Sequence, residues 1–453
     1  MSNMQVTAIP EATVAESAPH ETIGQSINRV IRSNIRNSVM FLVLIIVFVV
    51  FAVWSKGTFV NSYNLTMLVA QTCVVGVMAC GMTLVIIIRH IDLSVGYMCG
   101  FLGAVAVILM ETVHLPAILA IIIVVALGAA IGLGEGMLIG KVGIPAFVVT
   151  LGLMIAGHGL ELLSTQKTGT IIANNAFFLQ LSNGFLPPVF TFGAISSGST
   201  LVIGVVGVVL FVVLQISSRA RLAGHGLVVE DAWWFVLKIV LVFAIVGFLV
   251  YKFSTFNGIS YALIILGAVV VFVASLQSRT RLGRHIFGLG GNPEAAELSG
   301  VNVVKVTALV FVIMGSLVGL GGVLLASRMA AANPTAGQGS ELLVIAGCFI
   351  GGCSPAGGIG RVTGSLIGAL IMQSLVSGML IVHIAISYQY VVQGGILVLA
   401  VLFDILSRRI SAASSQLEQQ PATPAIESQA IDQSWMVGDV TGKPADGWVV
   451  NAG

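Results

Sequence analysis

The chain of 453 residues is 57% hydrophobic and only 8% charged, with a mean hydropathy of +1.05. Water cannot be the main solvent for such a surface, which excludes a soluble globular enzyme and a disordered polypeptide alike. The net charge is only +2 and the basic residues are dispersed rather than clustered with aromatics, so nothing here is built to hold nucleic acid.

Residues 1–38 are polar, and Arg29, Arg32 and Arg36 share one face if that stretch is helical, the pattern of a cytoplasmic lead-in. No secretory leader is expected, because no small-x-small cleavage pattern follows the first apolar run, which begins near Val39. Apolar runs long enough to cross with some tilt then occupy about 39–54, 64–88, 93–110, 115–140, 144–164, 199–217, 233–251, 258–276, 303–326, 341–352, 362–381 and 388–407. The reading is an all-α polytopic integral membrane bundle of about twelve spans, ten at the lower bound, with both termini cytoplasmic. The run at 341–352 is short and glycine-rich and reads as a broken or re-entrant helix or a full crossing.

Orientation comes from basic residues. With the N-terminus inside, the inner gaps collect Arg29, Arg32, Arg36, Arg89, Lys141, Arg219, Arg221, Arg279, Arg281, Arg284, Lys305, Arg361, Arg408 and Arg409. The outer gaps receive Lys56, Lys167, Lys252 and Arg328, so the reverse threading would invert a strong positive-inside bias. The 53 glycines lie mostly within apolar runs, where a missing side chain lets helices approach closely. Five cysteines, an odd number without paired metal-ligand spacing, argue against a disulfide framework or a zinc site.

The transmembrane region is thus 39–408, with an extracytoplasmic loop at 165–198 and a cytoplasmic loop at 277–302. The outer loop carries Asn174, Asn175, Asn183 and the Pro187-Pro188 pair and is read as a small cap. From 409 to 453 the chain is rich in Gln, Ala, Pro, Ser and Thr, a composition that cannot bury enough apolar area to offset chain entropy. It is read as a disordered cytoplasmic tail.

The inner loop reads QSRTRLGRHIFGLGGNPEAAELSGVN. Asn292 suits an N-cap, Pro293 the first helical position, and Glu294 and Glu297 the positive end of the dipole. Gly300 can stop the helix in a left-handed conformation, giving a two-turn self-capped helix, too short to be stable unless packed against something. GLGG at 288–291 lacks the following Lys-Ser/Thr of a phosphate loop, so no ATPase site is read into this chain.

Within the spans, Asp92, Ser94 and Gln71 are the candidate pathway or structural polar residues. Asp92 reads as an N-cap for the span beginning near Leu93, as a pair with Arg89, as a contact in a solute path, or as a proton-coupling group. Glu135 and Glu161 are placed near span ends, at solvent depth. Gly357, Gly358, Gly360, Gly364 and Gly368 combine a flexible inner turn with a Gly-xxx-Gly face, for close packing or a moving gate. Ser354 sits in that turn, yet no local pattern places a histidine beside it.

Several stretches resemble one family in order along the chain: IDLSVG at 91–96, GIPAFVVTLGLM at 143–154, GGNPEAAELSGVNV at 290–303, GGCSPAGGIGRVTGSLIGAL at 351–370 and QYVVQGGILVLAVLFD at 389–404. They resemble the permease subunits of ribose/xylose-type ABC sugar importers, nearest the xylose type. The resemblance implies that the EAA-x3-G match, Glu294, Ala295, Ala296 and Gly300, lies in a coupling helix running Asn292 to Gly300 through Pro293, Glu297, Leu298 and Ser299, which docks on a separate cytoplasmic ATPase. It further implies a homodimer in a bacterial cytoplasmic (inner) membrane and a periplasmic sugar-binding protein delivering a monosaccharide, with a pentose such as xylose expected. No cofactor is expected on this chain; ATP is used by the partner. Arg89 and His90 stand where relatives carry small residues or Glu, Glu135 replaces an Asn, Cys353 a Thr and Ser377 an Asn. The readings from other classes are a proton-coupled secondary sugar transporter using Asp92 and an intramembrane hydrolase centred on Ser354.

Overall fold

A computed structural model of the protein describes residues 35–418 apart from 166–168, 194 and 225–231. The lead-in before residue 35 and the tail from 419 lie outside the described residues. Nine helices among these residues are long and apolar enough to cross a membrane, and three shorter apolar helices accompany them. Each apolar run read from the sequence is occupied by one of these helices.

The first helices are α1 (Ile35–Trp54), α2 (Ser62–Ile87), α3 (Val95–Glu111), α4 (Ala117–Met137) and α5 (Ala146–Thr165). A helix α6 (Ala176–Asn183) and a two-residue strand β1 (Ile171–Ile172) follow in the expected cap. The pair α7 (Gly198–Gly224) and α8 (Ala232–Ser254) leads to α9 (Tyr261–Arg279), α10 (Arg281–Gly291) and α11 (Pro293–Leu298). Then come α12 (Val303–Met329), β2 (Ala331–Ala332), α13 (Ser340–Ile350), α14 (Val362–Ile381) and α15 (Ile386–Glu418).

At the centre lies α2, 94% buried over its apolar window, against which α9, α12, α13 and α14 pack. Glycine sets the closest approaches. A Cβ at Gly132 of α4 would sit 2.0 Å from the Phe311 carbonyl of α12, and one at Gly315 of α12 would sit 2.1 Å from the Gly128 carbonyl. Backbone here touches backbone, the arrangement by which helices associate without a hydrophobic force between them.

The short run resolves into a half-length helix. With 11 residues α13 is about 16 Å long at 1.5 Å per residue, half the thickness of a hydrocarbon core. Residues 333–339 before it are non-helical, and β2 ahead of them pairs antiparallel with β1 through Ile171 and Ala332. Within that segment Gly337 is buried against helices: a Cβ there would fall 1.9 Å from the Gly96 carbonyl of α3, and Glu161 Oε1 accepts from its N–H at 3.5 Å.

The chain divides into two compact units, Met1–Asp404 and Ile405–Gly453. The described part of the second is the end of α15, helical to Glu418 and so past the boundary expected at 408.

Candidate functional site

The self-capped segment forms as its residues dictate. Asn292 Oδ1 accepts from Ala295 N at 3.1 Å, Pro293 opens α11, and Glu294 lies in its first turn. Gly300 takes φ +83°, with its N–H on Glu297 O at 2.9 Å and Val301 N–H on Ala296 O at 3.0 Å, the paired bonds of a Schellman stop. Ser299 Oγ donates back to Ala295 O at 2.7 Å. One expectation fails in detail. Ala296 is turned inward and is only 7% exposed, because it packs toward its own chain, so it offers a partner no surface. Glu294, Ala295 and Glu297 face outward, and Leu298 stands 90% exposed.

The preceding helix α10 was not anticipated. Thr280 caps it by accepting from Gly283 N at 3.1 Å, and Ile286, Leu289 and Gly290 are buried beneath it. The signal was present in Leu282, Ile286 and Leu289 at helical spacing, diluted by four glycines and two arginines in the same stretch. Together α10 and α11 make a helical elbow rather than one isolated turn pair.

The glycine-rich turn lies against this elbow. Gly357 and Gly358 have φ +81° and +71°, which a side chain would strain, and Gln277 of α9 donates from Nε2 to Gly360 O at 2.9 Å. Beyond the turn, a Cβ at Gly364 would lie 2.1 Å from the Gly351 carbonyl and one at Gly368 1.9 Å from the Gly347 carbonyl. The Gly-xxx-Gly face of α14 is therefore closed against α13, as close packing requires. Ser354 Oγ accepts from Ala356 N at 3.1 Å, a turn-building role.

Asp92 corrects two expectations. Helix α3 starts at Val95, so Asp92 does not cap at Leu93; its Oδ1 instead accepts from Ser94 N at 2.9 Å and Ser94 Oγ at 2.7 Å in the turn before the helix. Nor does it pair with Arg89, whose guanidinium turns to the carbonyls of Gly290 and Gly291. Ser94 Oγ also lies 3.1 Å from Glu135 Oε1, so one hydroxyl stands between two carboxylates.

Glu135 and Glu161 were expected at solvent depth and are instead 4% and 0% exposed. The cause is close helix approach: α3 offers Gly100 beside Glu161, where a Cβ would fall 2.1 Å from Oε1. Sequence reasoning also missed Glu341 at the start of α13, 8% exposed and filling the space a Cβ on Gly96 would need. Gln71 accepts from Gln373 Nε2 at 2.8 Å, and Thr83 Oγ1 donates to Ser365 Oγ at 2.7 Å, polar stitches that bind α2 to α14.

Comparison with known proteins agrees with this architecture. The family model described as branched-chain amino acid transport system / permease component matches residues 64–401. The xylose transport system permease protein XylH of Escherichia coli (strain K12) is 35% identical over 378 residues, 83% of this chain and 94% of that protein. Its counterpart in Haemophilus influenzae is also 35% identical, over 83% of this chain and 98% of that protein. The ribose import permease protein RbsC of Escherichia coli (strain K12) is 31% identical, over 80% and 92% respectively. No solved structure matches. The chain therefore belongs to this family of membrane permease components, among the permeases of ribose/xylose-type ABC sugar importers.

Proposed function

We propose that this chain is the translocation subunit of an ATP-driven importer for a monosaccharide, a pentose such as xylose, and that Asn292–Gly300 is the helix on which a separate cytoplasmic ATPase docks. The carrying observation is Leu298, 90% exposed on a helix capped at both ends, in the loop that the positive-inside bias assigns to the cytoplasm. A leucine that stands free in water beside two outward carboxylates suits an apolar pocket with a basic rim. Two copies of the chain would frame the solute path, and an extracytoplasmic binding protein would load it. ATP is bound and hydrolysed by the partner, with no cofactor on this chain. The sugar class is supported by relatives named for xylose, ribose and arabinose transport.

The test is co-purification with the cognate ATPase, together with sugar uptake in proteoliposomes containing loaded binding protein. Gly300→Val, which disfavours the left-handed stop, and Leu298→Glu should each leave the permease in the membrane while ATPase capture and uptake fall together. Uptake that persists without nucleotide would instead favour proton coupling, for which the Asp92, Ser94 and Glu135 cluster is the supporting observation.

A further inference from the structure

Helix α2 ends in a Schellman turn that has an arginine where glycine is usual. Arg89 N–H bonds Ile86 O at 2.9 Å and His90 N–H bonds Val85 O at 3.0 Å, which puts Arg89 in the left-handed position at φ +68°. A side chain is disfavoured there, because its Cβ crowds the following carbonyl oxygen. An unfavourable backbone conformation held by the surrounding structure directs attention to what the side chain does.

The Arg89 side chain joins three segments. Its Nε donates to Gly290 O at 2.7 Å and its Nη2 to Gly291 O at 2.6 Å, a fork on the last carbonyls of α10, where a positive charge also complements the helix dipole. Its stem lies against the inner turn, since a Cβ on Gly357 would come within 2.3 Å of Arg89 Cγ. Backbone completes the junction: Gly358 N–H bonds Ile87 O at 2.9 Å, and a Cβ on Gly290 would fall 1.8 Å from that same Ile87 carbonyl. The end of α2, the elbow before α11 and the turn between α13 and α14 thus meet at one side chain.

We propose that Arg89 is a positioning residue that transmits displacement of the docking helix to the turn joining α13 and α14, which makes it a determinant of how tightly ATP hydrolysis drives transport. This rests on the docking role given to Asn292–Gly300. Arg89 lies outside the docking face, so its loss uncouples the subunits without separating them.

Arg89→Asn is the informative variant, because Asn tolerates the left-handed backbone and the turn is kept while the fork is lost. ATPase capture and hydrolysis without sugar stay at the wild-type level, while sugar imported per ATP falls at least about tenfold, the scale of losing a charge-assisted pair of hydrogen bonds. Arg89→Lys keeps length and charge but only a point donor, and recovers part of the ratio. Wild-type coupling in the Asn variant, or in the Lys variant if Asn prevents insertion, overturns the proposal. Spin labels at Glu297→Cys and Ala356→Cys, both exposed positions, give a second readout that needs no ATPase. One narrow distance distribution in the parent should broaden in Arg89→Asn; an unchanged distribution overturns the positioning role of Arg89. If Leu298→Glu captures ATPase normally, the docking reading has failed instead, and the label distances still judge the Arg89 junction.

Discussion

Helices α2 and α7 invert the usual expectation about hydropathy. The apolar window of α7 is the more hydrophobic, yet it is 11% buried, whereas that of α2 is 94% buried. Its partner α8 is 0% buried over the same kind of window. In a membrane protein the surroundings of an exposed helix are as apolar as a protein interior, so hydrophobicity does not decide which helix goes inside. Small residues and hydrogen-bonding side chains decide it. Helix α2 carries Gly76, Gly81, Gln71, Thr72 and Thr83, with Gly81 pressed on Met314 and Gln71 bonded to Gln373. Helix α7 presents Val202, Val205, Val206, Val209 and Leu210 outward.

That contrast can be broken most forcefully at a glycine contact. Gly368→Val places atoms where the Gly347 carbonyl already lies at 1.9 Å, and is expected to cost above about 3 kcal/mol because a backbone carbonyl cannot swing aside. Gly207→Val in α7, where a Cβ meets nothing within 4 Å, should stay within about 0.5 kcal/mol. Thermal denaturation in one detergent compares them, and equal losses would remove the distinction. Next in size is Val240→Arg on α8, 55% exposed, which should reduce membrane insertion by about 2.5–3.5 kcal/mol if that face meets lipid. Normal insertion would mean that the face is solvated or covered.

A smaller effect sharpens the contrast at Asp92. Asp92→Leu strands the Ser94 N–H and hydroxyl and should cost about 1–3 kcal/mol, while Asp92→Asn retains an acceptor and most of the transport.

The difference in legibility between features follows their range along the chain. Asn292 and Gly300 were readable because a cap bonds residues three or four positions away. The short, glycine-ended run at 341–352 left a broken helix and a full crossing both open, and the 11 residues of α13 decide between them. Ser94 and Glu135 were not, since they are 41 residues apart and meet only after α3 and α4 pack. Glu161 looked like a solvent-depth residue because nothing local shows that Gly100 leaves room for it. The inward turn of Ala296 was hidden for the same reason: the six residues of α11 carry too short a pattern to reveal which face another helix covers.

Docking of an ATPase on the outward face of α11 is tested by placing a photo-crosslinking residue at Leu298 and separately at Ala296 in membranes containing the cognate ATPase. The exposed position 298 should give an abundant adduct with the ATPase and the buried position 296 little or none. No adduct at 298 while ATP-driven uptake remains intact would rule out docking on this face and send the ATPase to another surface.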